Sequence, residues 1–166
     1  GSMVAVKVLH DQHAQSKEHV ARFLREARIA SSIGHKGIVE VFDAGRDEEG
    51  RCFIAMELCD GLDLATAIEN GRLTTGDVVE VARQLLSILS AAHKEGIVHR
   101  DVKPENVLLL SEAGALRVKL LDFGIAKLTA PGRHSFDTQD GILLGTPYYM
   151  SPEQCRGDKL GPRSDL

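Results

Sequence analysis

Apolar residues recur along this chain in two rhythms, near every second position and near every third or fourth, and the alternation between them lays out its elements. Val4-Ala5-Val6-Lys7-Val8-Leu9 alternates as a strand, with Lys7 able to point where its apolar neighbours do not. From Ser16 to Ser31, the residues Val20, Phe23, Leu24, Ala27 and Ala30 recur at helical spacing, with Ser16 as N-cap. That helix is expected to end at Gly34, and a strand follows over Val39 to Ala44. The charged, glycine-terminated stretch Arg46 to Gly50 predicts a hairpin turn into a strand over Cys52 to Leu58. A short helix is expected over Leu62 to Ile68. Thr74-Thr75-Gly76-Asp77 opens a long helix in the manner of a capping box. Its stripe of Val78, Val81, Ala82, Leu85, Leu86, Leu89 and Ala92 predicts one buried face ending at Gly96. Ile97-Val98, Val107 to Leu110 and Val118 to Leu121 are too short, and too rich in leucine and β-branched residues, to be helices. They read as buried strands.

The polar residues between those last three runs must lie on loops. One loop presents Asp101, Lys103 and Asn106, and the next presents Asp122 ahead of Phe123 and Gly124. Two acids, an amide and a lysine at one edge of a small sheet suit a divalent metal and a polyphosphate, because hard cations prefer oxygen ligands and phosphate needs a cation. Read without context, the same residues make two ordinary polar turns. Lys7 alone would be a solvated edge lysine, and Glu26, at the margin of its helical stripe, an ordinary i,i+4 partner for Arg22.

Composition narrows the classes. At 166 residues and 43% hydrophobic, the chain is long enough for a core and for one domain or part of one. No apolar stretch approaches the roughly 20 residues needed to cross a bilayer. A net charge of -4 with both signs interspersed argues against a nucleic-acid partner. Cys52, Cys59 and Cys155 share no CxxC spacing and read as reduced thiols of a cytoplasmic protein. The opening Gly1-Ser2-Met3 reads as a cloning scar and is set aside from fold reasoning.

His99-Arg100-Asp101-Val102-Lys103-Pro104-Glu105-Asn106, followed by Asp122-Phe123-Gly124, resembles the motif set of eukaryotic-type Ser/Thr protein kinases, most closely their bacterial members. The resemblance runs over nearly every residue after the first three. It implies an α+β, two-lobe kinase-like fold, with a partial small lobe over 4–58, a hinge at 59–61 and a partial helical lobe over 62–166. It also implies ATP and Mg²⁺ as cofactors and a protein as substrate. Lys7 would hold the α- and β-phosphates, paired with Glu26. Ala5 and Leu108 would enclose the adenine ring, Met56 would gate the back pocket, and Glu57 and Cys59 would contribute backbone groups. Asp63 would lie near the ribose. Asn106 and Asp122 would hold metal, Asp101 would take the substrate hydroxyl proton, and Lys103 would neutralise the γ-phosphate. His99 and Phe123 would belong to an apolar column, with His99 packed and neither ligand nor proton shuttle. Arg100 would bind a regulatory phosphate, on Thr138 first and Ser135 second, with Asp140 supplying part of the charge. Thr146 would bond Asp101 and Lys103.

In the family a Gly-rich loop precedes the strand matched by Val4 to Leu9, and further helices follow the position of Leu166. The chain is therefore expected to be the middle of a catalytic domain, weakly active or inactive by itself. Strand edges and apolar surface open in such a piece predict a homo-oligomer, a domain-swapped pair or a loosened C-terminal region. Glu153 is expected to lack its family partner, and Asp165 to fray. A non-catalytic, self-associating scaffold module is the alternative reading.

Overall fold

The computed structural model describes residues 3–112, 114–123 and 147–166. Two small antiparallel sheets and two long helices make up its α+β frame. In the first sheet, β1 (Val4–Val8), β2 (Val41–Arg46) and β3 (Cys52–Glu57) stand in the order β1-β3-β2. In the second, β4 (Leu62–Asp63), β5 (Val107–Glu112) and β6 (Ala115–Leu120) stand in sequence order. Helix α1 (Asp11–Ala14) is one turn, capped by the His10 ring, and has no counterpart in the sequence pattern. Helix α2 (Lys17–Ser32) begins at Ser16, whose hydroxyl accepts from His19 N–H, and buries Val20, Phe23 and Ala27. These join Cys52 and Ile54 of β3 in a small core under the first sheet.

The second core lies under helix α4 (Thr75–Lys94), which opens with the expected capping box between Thr74 and Asp77. Here the expected stripe needs correction. Val81, Ile88, Leu89 and Ala92 are buried, whereas Val78, Ala82 and Leu86 face outward. Spacings of seven, eight and eleven from Val81 keep one line down the helix, and Ile88, absent from the expected stripe, is the residue that line selects. Gly37 sits so closely against Ile88 that a Cβ there would collide with its side chain. The loop after α2 is thereby seated on α4, and Leu120 N–H donates to Gly37 O at 2.7 Å.

Three further expectations shift. Ile97-Val98 forms no strand, because Ile97 N–H donates to Ala92 O and closes the end of α4. Leu62 and Asp63 leave the expected helix to pair with Leu109 and Leu108, and helix α3 (Leu64–Glu69) starts after them with Asp63 as N-cap. The strand expected from Val39 starts at Val41, while Ile38 makes an isolated parallel bridge to Leu120 of the second sheet. A last short helix, α5 (Pro152–Arg156), carries a capping box between Ser151 and Gln154. Among the described residues, no helix is long and apolar enough to cross a membrane.

Candidate active site

Strand β1 alternates as expected, but its valines face out. Val4, Val6 and Val8 are exposed, and Ala5 and Lys7 share the half-buried face. The antiparallel register sets Ala5 opposite Met56 and Lys7 opposite Ile54. Helix α2 crosses behind this face and delivers Glu26, whose carboxylate lies 3.8 Å from Lys7 Nζ. Asp122, past the end of β6, lies nearer, with its Oδ1 accepting from Lys7 Nζ at 2.7 Å. Lys7 thus joins the first sheet to both α2 and the segment after β6. Lys7, Glu26, Met56 and Asp122 share the lining of one cavity of about 50 Å³ with Ala27 and Phe123.

The 99–106 loop is built around a buried histidine. His99 is fully buried, and its ring stacks at a tilt on Phe123 with centroids 4.7 Å apart. Asp101 N–H donates to His99 Nδ1 at 3.3 Å, so the proton sits on Nε2, which donates to Leu121 O at 2.9 Å. Burial holds this ring's pKa below the ordinary value against the Leu121 carbonyl and the charges of Asp165, Asp101 and Asp122, which act to raise it. The neutral tautomer implied by the hydrogen bonds is the one that burial favours. A packed histidine is what the sequence predicts here.

Asp165 departs from expectation. Instead of fraying, it is buried, with Oδ2 accepting from His99 N–H at 2.8 Å and Oδ1 from Arg100 N–H at 2.7 Å. His93 Nε2 of α4 approaches Oδ2 at 2.8 Å. A terminal position frays only where its backbone and side chain are unpaired, and this carboxylate has three partners. Arg100 is held in the left-handed region at φ 70, its carbonyl accepting from Gln154 Nε2 at 2.7 Å. Glu153, expected to lack its family partner, accepts from Ser164 Oγ at 2.6 Å. Asn106 Nδ2 donates to Asp101 O at 2.8 Å and reaches Asp101 Oδ2 at 3.2 Å, which turns the two side chains toward one another. Its backbone carbonyl accepts from Leu121 N–H at 2.8 Å and binds the loop to the strand that leads to Asp122. Lys103 is half-buried; its carbonyl accepts from Asn106 N–H at 3.0 Å, while its ammonium has no hydrogen bond or ion pair among the described residues.

Asp122 also occupies the left-handed region, at φ 42, a conformation that costs a non-glycine residue energy and is common where a side chain must be aimed. The structure therefore brings Lys7, Glu26 and Asp122 together, and separately Asp101 and Asn106, with His99 and Leu121 connecting the two groups. Leu108 is half-buried on β5, opposite Lys119. Asp63 caps α3, its carboxylate accepting from Thr66 N–H and Oγ1 at 2.9 and 2.7 Å, bonds that lower its pKa. Thr138, Ser135, Asp140 and Thr146 lie outside the described residues.

Four contributors escape the sequence pattern. Gln154 and Ser164 are ordinary polar residues with no local signal. Arg25, near enough to Arg100 to act with burial in lowering its pKa, sits among the charges of an amphipathic helix. Lys119 alternates with the buried Val118 and Leu120 as an outward-facing strand residue would, so nothing local marks its partner.

Comparisons with known proteins agree with this geometry. A family model described as protein kinase domain matches residues 1–166. The serine/threonine-protein kinase pkn2 of Myxococcus xanthus is 43% identical over 167 residues, covering 100% of this chain and 20% of its own length. PknL of Mycobacterium tuberculosis is 41% identical over 165 residues, covering 98% of this chain and 39% of its own. The chain thus spans well under half the length of these relatives. The crystal structure of the Mycobacterium tuberculosis PknI kinase domain superposes with a TM-score of 0.71 at 33% identity, covering 98% of this chain and 58% of that one. With the family model matched from end to end, the α+β frame is part of a kinase fold, and the chain belongs to the protein kinase domain family.

Proposed function

We propose that this chain is catalytic core from an ATP- and Mg²⁺-dependent protein Ser/Thr kinase of the cytoplasm. The observation that carries the reading is the position of Lys7 Nζ, 2.7 Å from Asp122 and 3.8 Å from Glu26. A lysine gripped by two carboxylates from different elements is ordered before any ligand arrives, which lowers the entropy cost of holding phosphate. The bond engages Asp122 through Oδ1, which leaves the other oxygen of that carboxylate, with Asn106, to face a hard cation.

In this reading residues 4–58 and 62–166 belong to two lobes joined at 59–61. Ala5 and Leu108 pack on the adenine, Met56 closes the cavity behind it, and backbone groups of Glu57 and Cys59 read its edge. Lys7 binds the α- and β-phosphates. Asn106 and Asp122 hold Mg²⁺, which supplies charge neutralisation across the transferring phosphates when bound. Asp101 accepts the proton of a substrate Ser or Thr hydroxyl and aims it in line, and Lys103, with no competing partner among the described residues, meets the γ-phosphate. Arg100, with Arg25 beside it, receives a phosphate on Thr138 or Ser135, and Thr146 bonds Asp101 and Lys103.

The test is thermal melting with and without Mg²⁺-ATP, alongside Asp122→Asn. Metal-dependent stabilisation lost in the variant supports the reading through linkage. No shift at millimolar nucleotide overturns it for this chain. A second reading, a self-associating module forming a homo-oligomer or a domain-swapped pair, is favoured by the exposed valines of edge strand β1. Light scattering that gives a monomer at all concentrations excludes it.

A further inference from the structure

Glu57 ends β3, where the chain leaves the first sheet for the second. Its carboxylate accepts from Lys119 Nζ at 2.6 Å through Oε1 and at 2.7 Å through Oε2. Oε2 also accepts from Glu40 N–H at 3.0 Å, while Glu57 N–H donates to Glu40 O at 2.9 Å. Lys119 belongs to β6 and is the cross-strand partner of Leu108. One carboxylate therefore joins three segments: the end of β3, the entry to β2 and the edge strand β6 of the second sheet.

The two side chains retain only 26% and 13% of their exposure, so solvent and salt screen the pair less than a surface ion pair. Burial alone would raise the Glu57 carboxyl. The hydrogen bonds from Lys119 and Glu40 and the charge of Lys119 outweigh it and hold the pKa below the ordinary value. The carboxylate is thus committed to this arrangement at neutral pH.

We propose that the Glu57–Lys119 pair is a positioning device for adenine recognition, holding the backbone at 57–59 in register with β5 and β6 before nucleotide arrives. This rests on the nucleotide-binding reading above. If backbone groups of Glu57 and Cys59 read the adenine edge, their geometry depends on where the crossing segment lies, and this pair clamps that segment to the strand opposite Leu108. A ligand meeting a pre-set segment loses less affinity to ordering. The phosphate-binding group has its own link, the 2.7 Å bond between Lys7 Nζ and Asp122, and is held without the clamp.

The experiment measures, by calorimetry on the chain itself, the affinities of Mg²⁺-ADP and of Mg²⁺-tripolyphosphate, which has phosphates and no base. The variants are Lys119→Met, which keeps the apolar stem, Glu57→Gln, which keeps the shape, and Lys119→Arg, which keeps the charge. Expected is a loss of about tenfold for ADP in the first two, with tripolyphosphate affinity unchanged and ADP affinity recovered in Lys119→Arg. The double variant Glu57→Gln with Lys119→Met should lose no more than either single one, since both break one interaction. Unchanged ADP affinity in Glu57→Gln, the mildest variant, overturns the proposal. So does a parallel loss of both ligands, the mark of a merely structural role. An unaltered chain that binds neither ligand instead overturns the nucleotide reading, and this inference with it.

Discussion

The two charged groups of this site are held in opposite ways. Around the 99–106 loop, Asp165 and His99 are buried at 7% and 0% exposure, and their hydrogen bonds run to backbone groups and to the half-buried His93 ring. Around Lys7 the closer pair stays wet, with side-chain exposures of 38% for Lys7 and 55% for Asp122, while Glu26 behind it retains 15%. A carboxylate in a dry setting binds strongly and leaves costly orphans when removed, whereas an exposed ion pair contributes little and rearranges easily. The 99–106 loop is therefore built for permanence, and the Lys7–Asp122 pair for exchange.

The contrast breaks hardest at Asp165. Asp165→Ala strips the acceptor from two main-chain N–H groups and from His93, and should cost about 3 kcal/mol of stability, read from the urea midpoint at constant slope. A loss below about 1 kcal/mol would mean that the loop is held by something else.

Acid should probe the same side. His99 has a folded-state pKa lowered by burial, so the unfolded chain binds the extra proton first. Its contribution is then present above the ordinary value near 6.5 and lost as pH falls below it. Stability should drop by up to about 1.4 kcal/mol per pH unit on this account. Denaturation at pH 7.5 and 5.5, repeated in His99→Asn, isolates the share that belongs to this ring.

Gln154→Leu removes the bond to the Arg100 carbonyl and half of the Ser151 capping box, and should cost about 1 kcal/mol. It also frees Arg100 from one of the two bonds that keep it in the left-handed region. Smallest of all is the wet side. Lys7→Met should change stability by less than about 1 kcal/mol, yet abolish Mg²⁺-nucleotide binding. A large stability loss with binding retained would invert the comparison.

Much of this is legible in the residues themselves. Ser16 and Thr74 announce helix starts because a cap is satisfied within four residues. The runs at 107–110 and 118–120 announce strands because short apolar segments between polar loops have little else to be. The motif residues Asp101, Asn106 and Asp122 are readable by spacing, and the structure places Asp101 beside Asn106 and Asp122 beside Lys7. Val78 and Leu86 mislead, since apolar character states what a residue could bury and the phase of the helix decides whether it does. Asp63 caps α3 because Thr66 lies within reach, a local bond that its position just before the helix makes available.

The sequence by itself determined most of the elements and the family, since local capping, periodicity and motif spacing act over a few residues. Only the tertiary structure decided that Asp165 would meet His99 and Arg100 across 66 and 65 residues, or that Lys119 would reach Glu57 across 62. Such pairings follow from how sheets and helices pack to bury apolar area. A charge finds its partner in whatever place that packing leaves it.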